Sequence, residues 1–229
     1  MEIGGLQKVS LIDYPETICA VVFTRGCNFR CLYCHNPELV DLNLYGQCLP
    51  EDELFSFLAK RKGKLDGVSI TGGEPTIQPD IIPFIQRVKK MGYSVKIDTN
   101  GSKPDVILQI TKQRIVDYIA MDIKGPLEKY KVFTQSPLDV DNIVRSIAII
   151  MDSGIPYEFR TTVLKSILTE KDILKIGKLI KNANLYVLQK FISSKALDQK
   201  CINMATYTEE DLEIIKRKLM KNIHSVIIR

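Results

Sequence analysis

Short apolar runs alternate along this chain with segments whose apolar residues recur at helical spacing. Residues 18–24 (Ile18-Cys19-Ala20-Val21-Val22-Phe23-Thr24) are almost continuously apolar, the pattern of a strand buried on both faces. Comparable short runs occupy 67–71, 93–99, 117–124, 157–163 and 184–191. Over residues 140–148 the apolar positions fall at i, i+3, i+4, i+7 and i+8, which draws one stripe along a helix. Thr169-Glu170-Lys171-Asp172 and Thr208-Glu209-Glu210-Asp211 each have the form of a capping box that opens a helix. A further helix is predicted from Pro50, where a proline and three acidic residues favour an N-terminus.

Six strands, each followed by a helix, predict an α/β fold built on a parallel sheet with right-handed crossovers. The spacing is even and no linker rich in Gly, Pro or Ser interrupts it, so residues 1–229 are expected to form one domain. An open doubly wound sheet and a partial barrel both fit this order. A closed eight-unit barrel takes about 250 residues. The length of 229 residues therefore suits an incompletely closed, TIM-like (β/α)6 barrel with helices outside. Residues 223–228 could add a last short strand.

Composition narrows the setting. The chain is 45% hydrophobic and 26% charged, ordinary values for a globular protein with a polar surface. The net charge of +5 comes from scattered Lys and Arg interleaved with Asp and Glu, which argues against a nucleic-acid partner. The densest basic run, Lys60-Arg61-Lys62-Gly63-Lys64, reads as a helix C-terminus with its glycine cap. The first residues show neither a basic segment nor an apolar stretch of signal-peptide length, and nothing approaches the roughly 20 apolar residues of a membrane span. A cytoplasmic protein is expected, in which cysteines serve as metal ligands or core residues rather than disulfides. Cys19 lies inside an apolar run, as a core cysteine would.

The chemistry is concentrated at strand ends. Cys27, Cys31 and Cys34 follow the first predicted strand with C-x3-C-x2-C spacing, so three thiolates can converge on one inorganic centre. Structural zinc sites and ordinary ferredoxin clusters take four protein ligands. A three-cysteine loop around a four-iron cluster leaves one iron open. A zinc site completed by His35, Cys48 or Cys19 is the alternative; adjacent side chains such as Cys34 and His35 diverge, and no second C-x2-C pair exists. Thr71-Gly72-Gly73-Glu74-Pro75 ends the second strand, Asp98-Thr99-Asn100-Gly101 the third and Asp122-Ile123-Lys124 the fourth. Gly72-Gly73 belongs to neither a dinucleotide fingerprint nor a phosphate loop, and alone it reads as a tight turn. Parallel α/β folds gather functional groups at the carboxyl ends of strands, so these segments are expected on one face.

In combination these motifs resemble the radical S-adenosylmethionine (SAM) superfamily: the cysteine spacing, Tyr33 just before the third cysteine, and Gly-Gly-Glu-Pro after the second strand. Gly5-Leu6-Gln7-Lys8-Val9-Ser10-Leu11-Ile12-Asp13-Tyr14-Pro15, with Cys34-His35-Asn36-Pro37-Glu38, is similar to the anaerobic ribonucleoside-triphosphate reductase activating proteins among the glycyl-radical-enzyme activases. The resemblance covers most of the chain and weakens after about residue 165. It implies that Cys27, Cys31 and Cys34 ligate a [4Fe-4S] cluster whose fourth iron is chelated by SAM. It implies further that Tyr33 lies near the adenine and that Gly72, Gly73 and Glu74 receive the methionyl ammonium. Lys124 would meet the SAM carboxylate. Asp98, Thr99, Asn100 and Asp122 would complete the ligand wall, with a monovalent cation beside Asp98 and Asp122, and Arg160 matches an arginine of pyruvate formate-lyase activase. That enzyme's histidine after the sixth strand has no counterpart; Gln189-Lys190-Phe191 stands there instead.

The implied reaction is reductive cleavage of SAM to methionine and a 5′-deoxyadenosyl radical, which makes a glycyl radical on a partner enzyme. A flavodoxin or ferredoxin would supply electrons. Iron–sulfur clusters span roughly −700 to +450 mV, a range that reaches the low potential such a cleavage needs. Two other readings stand beside this one: a radical SAM enzyme acting on a small molecule, as in 7-carboxy-7-deazaguanine synthases, and a zinc-binding structural module.

Overall fold

The structure, a computed structural model, describes residues 1–192 and 195–229. Among the described residues eight strands form one sheet in chain order: β1 (Ile3–Ser10), β2 (Cys19–Thr24), β3 (Gly67–Gly72), β4 (Ser94–Thr99), β5 (Tyr118–Asp122), β6 (Tyr157–Val163), β7 (Leu185–Lys190) and β8 (Ser225–Ile228). From β2 to β8 every neighbouring pair is parallel. The helices between them are α1 (Glu51–Arg61), α2 (Ile81–Lys90), α3 (Pro104–Lys112), α4 (Tyr130–Thr134), α5 (Val140–Asp152), α6 (Glu170–Leu179) and α7 (Glu209–Leu219). Strands β2 to β7 are thus each followed by helix, and β8 adds a seventh parallel strand. With β1 and β8 at its two edges the sheet stays open, the architecture of a partial TIM-like barrel.

Strand β1 was not expected. Ile3-Gly4-Gly5-Leu6-Gln7-Lys8-Val9-Ser10 has no apolar run, and its glycines weaken any strand propensity. Its ladder to β2 is antiparallel and interrupted by two irregularities, while Ile3 is fully buried and bridges to Leu49. Tertiary pairing, not local pattern, makes this strand.

The helices form for the reasons their sequences suggest. In α5 the buried Ile143, Ile147 and Ile150 recur along one stripe, and the Asp139 side chain accepts from the Asp141 N–H. Both capping boxes are made, by Thr169 with Asp172 and by Thr208 with Asp211, and such caps each contribute about 1 kcal/mol. Helix α1 begins one residue later than anticipated, with Pro50 as its cap. None of the described helices is long and apolar enough to cross a membrane.

The sheet has two unlike faces. Outward residues such as Val95, Ile97, Ile119, Met121 and Phe159 join the main core with the helices. Inward, a small apolar cluster of Tyr14, Cys19 and Val21 packs with Phe23 and Tyr118. The rest of the inner face is polar: Lys96 and Asp98 on β4, Asp122 on β5, and Glu158, Arg160 and Thr162 on β6 alternate with the outward apolar positions. A strand with one face on a greasy core and one on a charged interior imposes this period of two.

Candidate active site

The cysteine loop leaves β2 through Gly26, whose φ of +94° lies where glycine is favoured. The loop after β3 docks directly on it: Gly73 N–H donates to the Thr24 carbonyl and Glu74 N–H to the Gly26 carbonyl, both at 2.8 Å. At Gly73 the approach is so close that a Cβ would stand 1.9 Å from the Gly26 carbonyl oxygen. Backbone on both sides leaves no rotamer to yield. Gly73→Ala is therefore expected to destabilise the fold by about 1–3 kcal/mol and to loosen the loop that carries Cys27. Thermal melting together with iron content after anaerobic reconstitution checks this; unchanged values in both would refute it.

Glu74 is 1% exposed, and its carboxylate accepts from Thr76 N–H, Thr76 Oγ1, Thr99 Oγ1 (2.7 Å) and Asn100 N–H (2.6 Å). Burial pushes this carboxyl up, against the hydrogen bonds, which favour its ionised form. A carboxylate so engaged ties the ends of β3 and β4 together. The same segment, Gly72-Gly73-Glu74, lines the cavity.

Asn100 continues the connection: its amide donates to Asn28 Oδ1 at 3.0 Å and approaches Cys27 Sγ at 3.9 Å. Cys31 is buried and Cys27 and Cys34 are half-buried. Burial pushes Cys27 up to about 12 and Cys31 up to about 11, and raises Cys34 as well. Such thiols stay protonated at neutral pH until a metal displaces the proton.

Beneath the loop lies a charged ladder. Arg160 donates from Nε to Asp122 at 2.7 Å and from Nη1 to Asp98 at 3.1 Å, and stands 3.8 Å from Glu158. Lys124 pairs with Asp122 at 3.0 Å, and Lys96 pairs with Asp98. Burial works to raise both aspartates, but Arg160 with Lys96 or Lys124 outweighs it and holds them below the usual carboxylate range. Lys124 is raised well above its ordinary value, because Asp122 and Cys31 overcome the opposing effect of burial.

All thirteen residues picked from the sequence (Cys27, Cys31, Tyr33, Cys34, Gly72, Gly73, Glu74, Asp98, Thr99, Asn100, Asp122, Lys124 and Arg160) line one cavity of about 420 Å³ at the carboxyl ends of the strands. Sequence reasoning did not place Asp13, Phe29, Thr162 or Gln189 there. Thr162 had a readable signal, two residues beyond Arg160 on the same strand face. Asp13 stands in the opening stretch 5–15, but nothing in that stretch told its place: it reaches the cavity from the turn between β1 and β2.

Two features fit the cavity to an iron–sulfur cluster and a polar ligand. Three thiols share its wall, and among the described residues the buried Tyr33 hydroxyl has no hydrogen-bond partner. A zinc centre fits less well. Cys19 sits at the opposite end of β2, and His35 is engaged with Phe191, ring centroids 5.0 Å apart, and with the Ile192 carbonyl at 2.9 Å.

Comparison with known proteins agrees. The profile of the Radical SAM superfamily matches residues 21–180. A protein of Methanocaldococcus jannaschii named as a glycyl-radical enzyme activating enzyme is 35% identical over 99% of this chain and 95% of its own length. The pyruvate formate-lyase-activating enzyme of Clostridium pasteurianum is 30% identical over 79% of this chain and 76% of its own length. Among solved structures, Streptococcus suis SuiB bound to its precursor peptide SuiA superposes with a TM-score of 0.71 at 14% identity. The match covers 91% of this chain and 48% of SuiB, so it speaks to the fold alone.

Proposed function

The chain belongs to the radical SAM superfamily and, within it, to the glycyl-radical enzyme activating enzymes, and we propose that its target is an anaerobic ribonucleoside-triphosphate reductase. Membership brings a [4Fe-4S] cluster and SAM as cofactors, an activity of oxidoreductase type, and a glycyl radical enzyme as the protein acted upon. When bound, these cofactors supply a low-potential electron and a carbon-centred radical, chemistry that no amino-acid side chain provides.

Our assignment of the site gives the chain three tasks. Cys27, Cys31 and Cys34 hold the cluster and leave one iron for SAM. Lys124, at the cavity end of the charged ladder, takes the SAM carboxylate, while Asp98, Thr99, Asn100, Asp122 and Arg160 fix the surrounding wall. Tyr33 meets the adenine. Holding reacting groups in register can lower a barrier by about 7–11 kcal/mol. A monovalent cation beside Asp98 and Asp122 would have to share these carboxylates with Arg160, Lys96 and Lys124.

The observation that carries the reading is the convergence of three thiols and one charged ladder on a single cavity. For the target, support comes from the opening stretch of residues 5–15, whose Asp13 forms part of that cavity's wall. We further assign a cytoplasmic location and a flavodoxin or ferredoxin as electron donor.

The test is anaerobic incubation of the reduced, reconstituted protein with SAM and an anaerobic ribonucleotide reductase. The expected result is a doublet EPR signal on the reductase, absent without SAM. Signal on a different glycyl radical enzyme, with none on the reductase, would reject the target. Turnover of a small molecule with no signal on any such enzyme would favour the 7-carboxy-7-deazaguanine-synthase-like alternative.

A further inference from the structure

Lys96 belongs to none of the motifs, does not line the cavity, and is 2% exposed on the inner face of β4. Among the described residues its ammonium has one partner, Asp98, two positions along the same strand. A lysine is rarely buried so completely, and burial of its charge is costly unless an opposite charge offsets it.

The ladder shows what depends on it. Its order is Lys96, Asp98, Arg160, Asp122, Lys124, alternating in sign at each step. On the far side Arg160 also faces Glu158, which is itself held by Arg229 at 2.9 Å and approached by the Tyr118 hydroxyl at 3.3 Å. Arg160 is therefore divided among three carboxylates. The more firmly Asp98 is neutralised from below, the more of Arg160 remains for Asp122, and the less Asp122 draws on Lys124. Lys124 closes the ladder at the cavity with one carboxylate partner and three N–H donors.

We propose that Lys96 is a positioning residue, which neutralises Asp98 from below so that Lys124 is left free to bind the carboxylate of the ligand. The inference rests on the assignment of Lys124 to the SAM carboxylate and adds a residue that never touches the ligand. Networks of this kind couple by enough to read at a distance, about 0.5–3 kcal/mol between members.

The test uses two unreactive probes on the cluster-loaded protein: S-adenosylhomocysteine, which carries the amino-acid carboxylate, and 5′-methylthioadenosine, which lacks it. Lys96→Met is expected to weaken the first by about tenfold and the second by less than about twofold, the size of one network coupling. Lys124→Met, measured alongside, is expected to show the same selectivity. The conservative variant Lys96→Arg keeps a cation beside Asp98 and is expected to retain most of the affinity. Equal weakening of both probes by Lys96→Met, or the same loss in Lys96→Arg as in Lys96→Met, would overturn the proposal and leave Lys96 a structural residue. Selective weakening of the first probe confined to Lys124→Met would overturn it too, while upholding the Lys124 assignment. No selectivity even in Lys124→Met would overturn that assignment and this inference together.

Discussion

Replacing Cys27, Cys31 or Cys34 by alanine, one at a time, is expected to reduce SAM cleavage to background, whereas Cys201→Ala leaves it largely intact. All four cysteines are at least partly enclosed, so burial does not distinguish them. Position does. Cys27, Cys31 and Cys34 share the wall of one cavity, and Cys201 sits in a one-turn helical segment, Gln199–Asn203, outside it. A cluster that keeps only two protein ligands loses the geometry that leaves one iron for SAM. Anaerobic reconstitution, visible absorbance and chromatographic assay of 5′-deoxyadenosine measure both cluster and product. Full activity in any of the three single variants would contradict the ligand assignment; loss of activity in Cys201→Ala with the fold intact would show that a ligand has been missed.

Arg160→Met is expected to have the largest effect on stability. Its guanidinium is shared by Asp98, Asp122 and Glu158, and the carboxylates are at most 28% exposed. Removing one member of a buried ion cluster costs about 3–5 kcal/mol, because the opposite charges stay behind. For a chain of this size that corresponds to a fall in Tm on the order of 10 °C. Asp98 and Asp122 are both held below their ordinary pKa in the fold. Depressed carboxylates stabilise the fold above their unfolded pKa of about 4, and that contribution is lost as pH falls through the folded value. The gap in stability between the wild-type chain and Arg160→Met should therefore be full at neutral pH and shrink as the medium is acidified below about pH 4. A gap that stays constant, or widens on acidification, would show that Arg160 stabilises by packing rather than charge.

Much of the architecture can be read from residues alone because strand and helix periods are clear where burial is complete. Strands β2 to β7 and the two capping boxes fall within a residue or two of their expected places. The edge strand β1 was illegible, since its glycines and lysine carry no period and only pairing with β2 orders it. The candidate site was readable where a motif fixes several residue types at set spacings, as in the cysteine loop and Gly72-Gly73-Glu74. What the residues then do was less readable. Glu74, expected at the ligand ammonium, also ties β3 to β4 through four hydrogen-bond donors of the protein itself, a role no motif announces. Lys96 went unnoticed inside a strand run, although its alternation with Val95 and Ile97 marks the polar inner face. A period of two tells which face a side chain takes; it does not tell what that face encloses.

A radical formed in this cavity is expected to take hydrogen from a glycine of the partner. The most direct measurement is mass spectrometry of 5′-deoxyadenosine produced with a partner whose glycines carry deuterium at Cα. Deuterium is expected in the 5′-deoxyadenosine, together with a glycyl EPR signal on the partner. SAM consumed with only unlabelled 5′-deoxyadenosine released, and no partner radical, would contradict it.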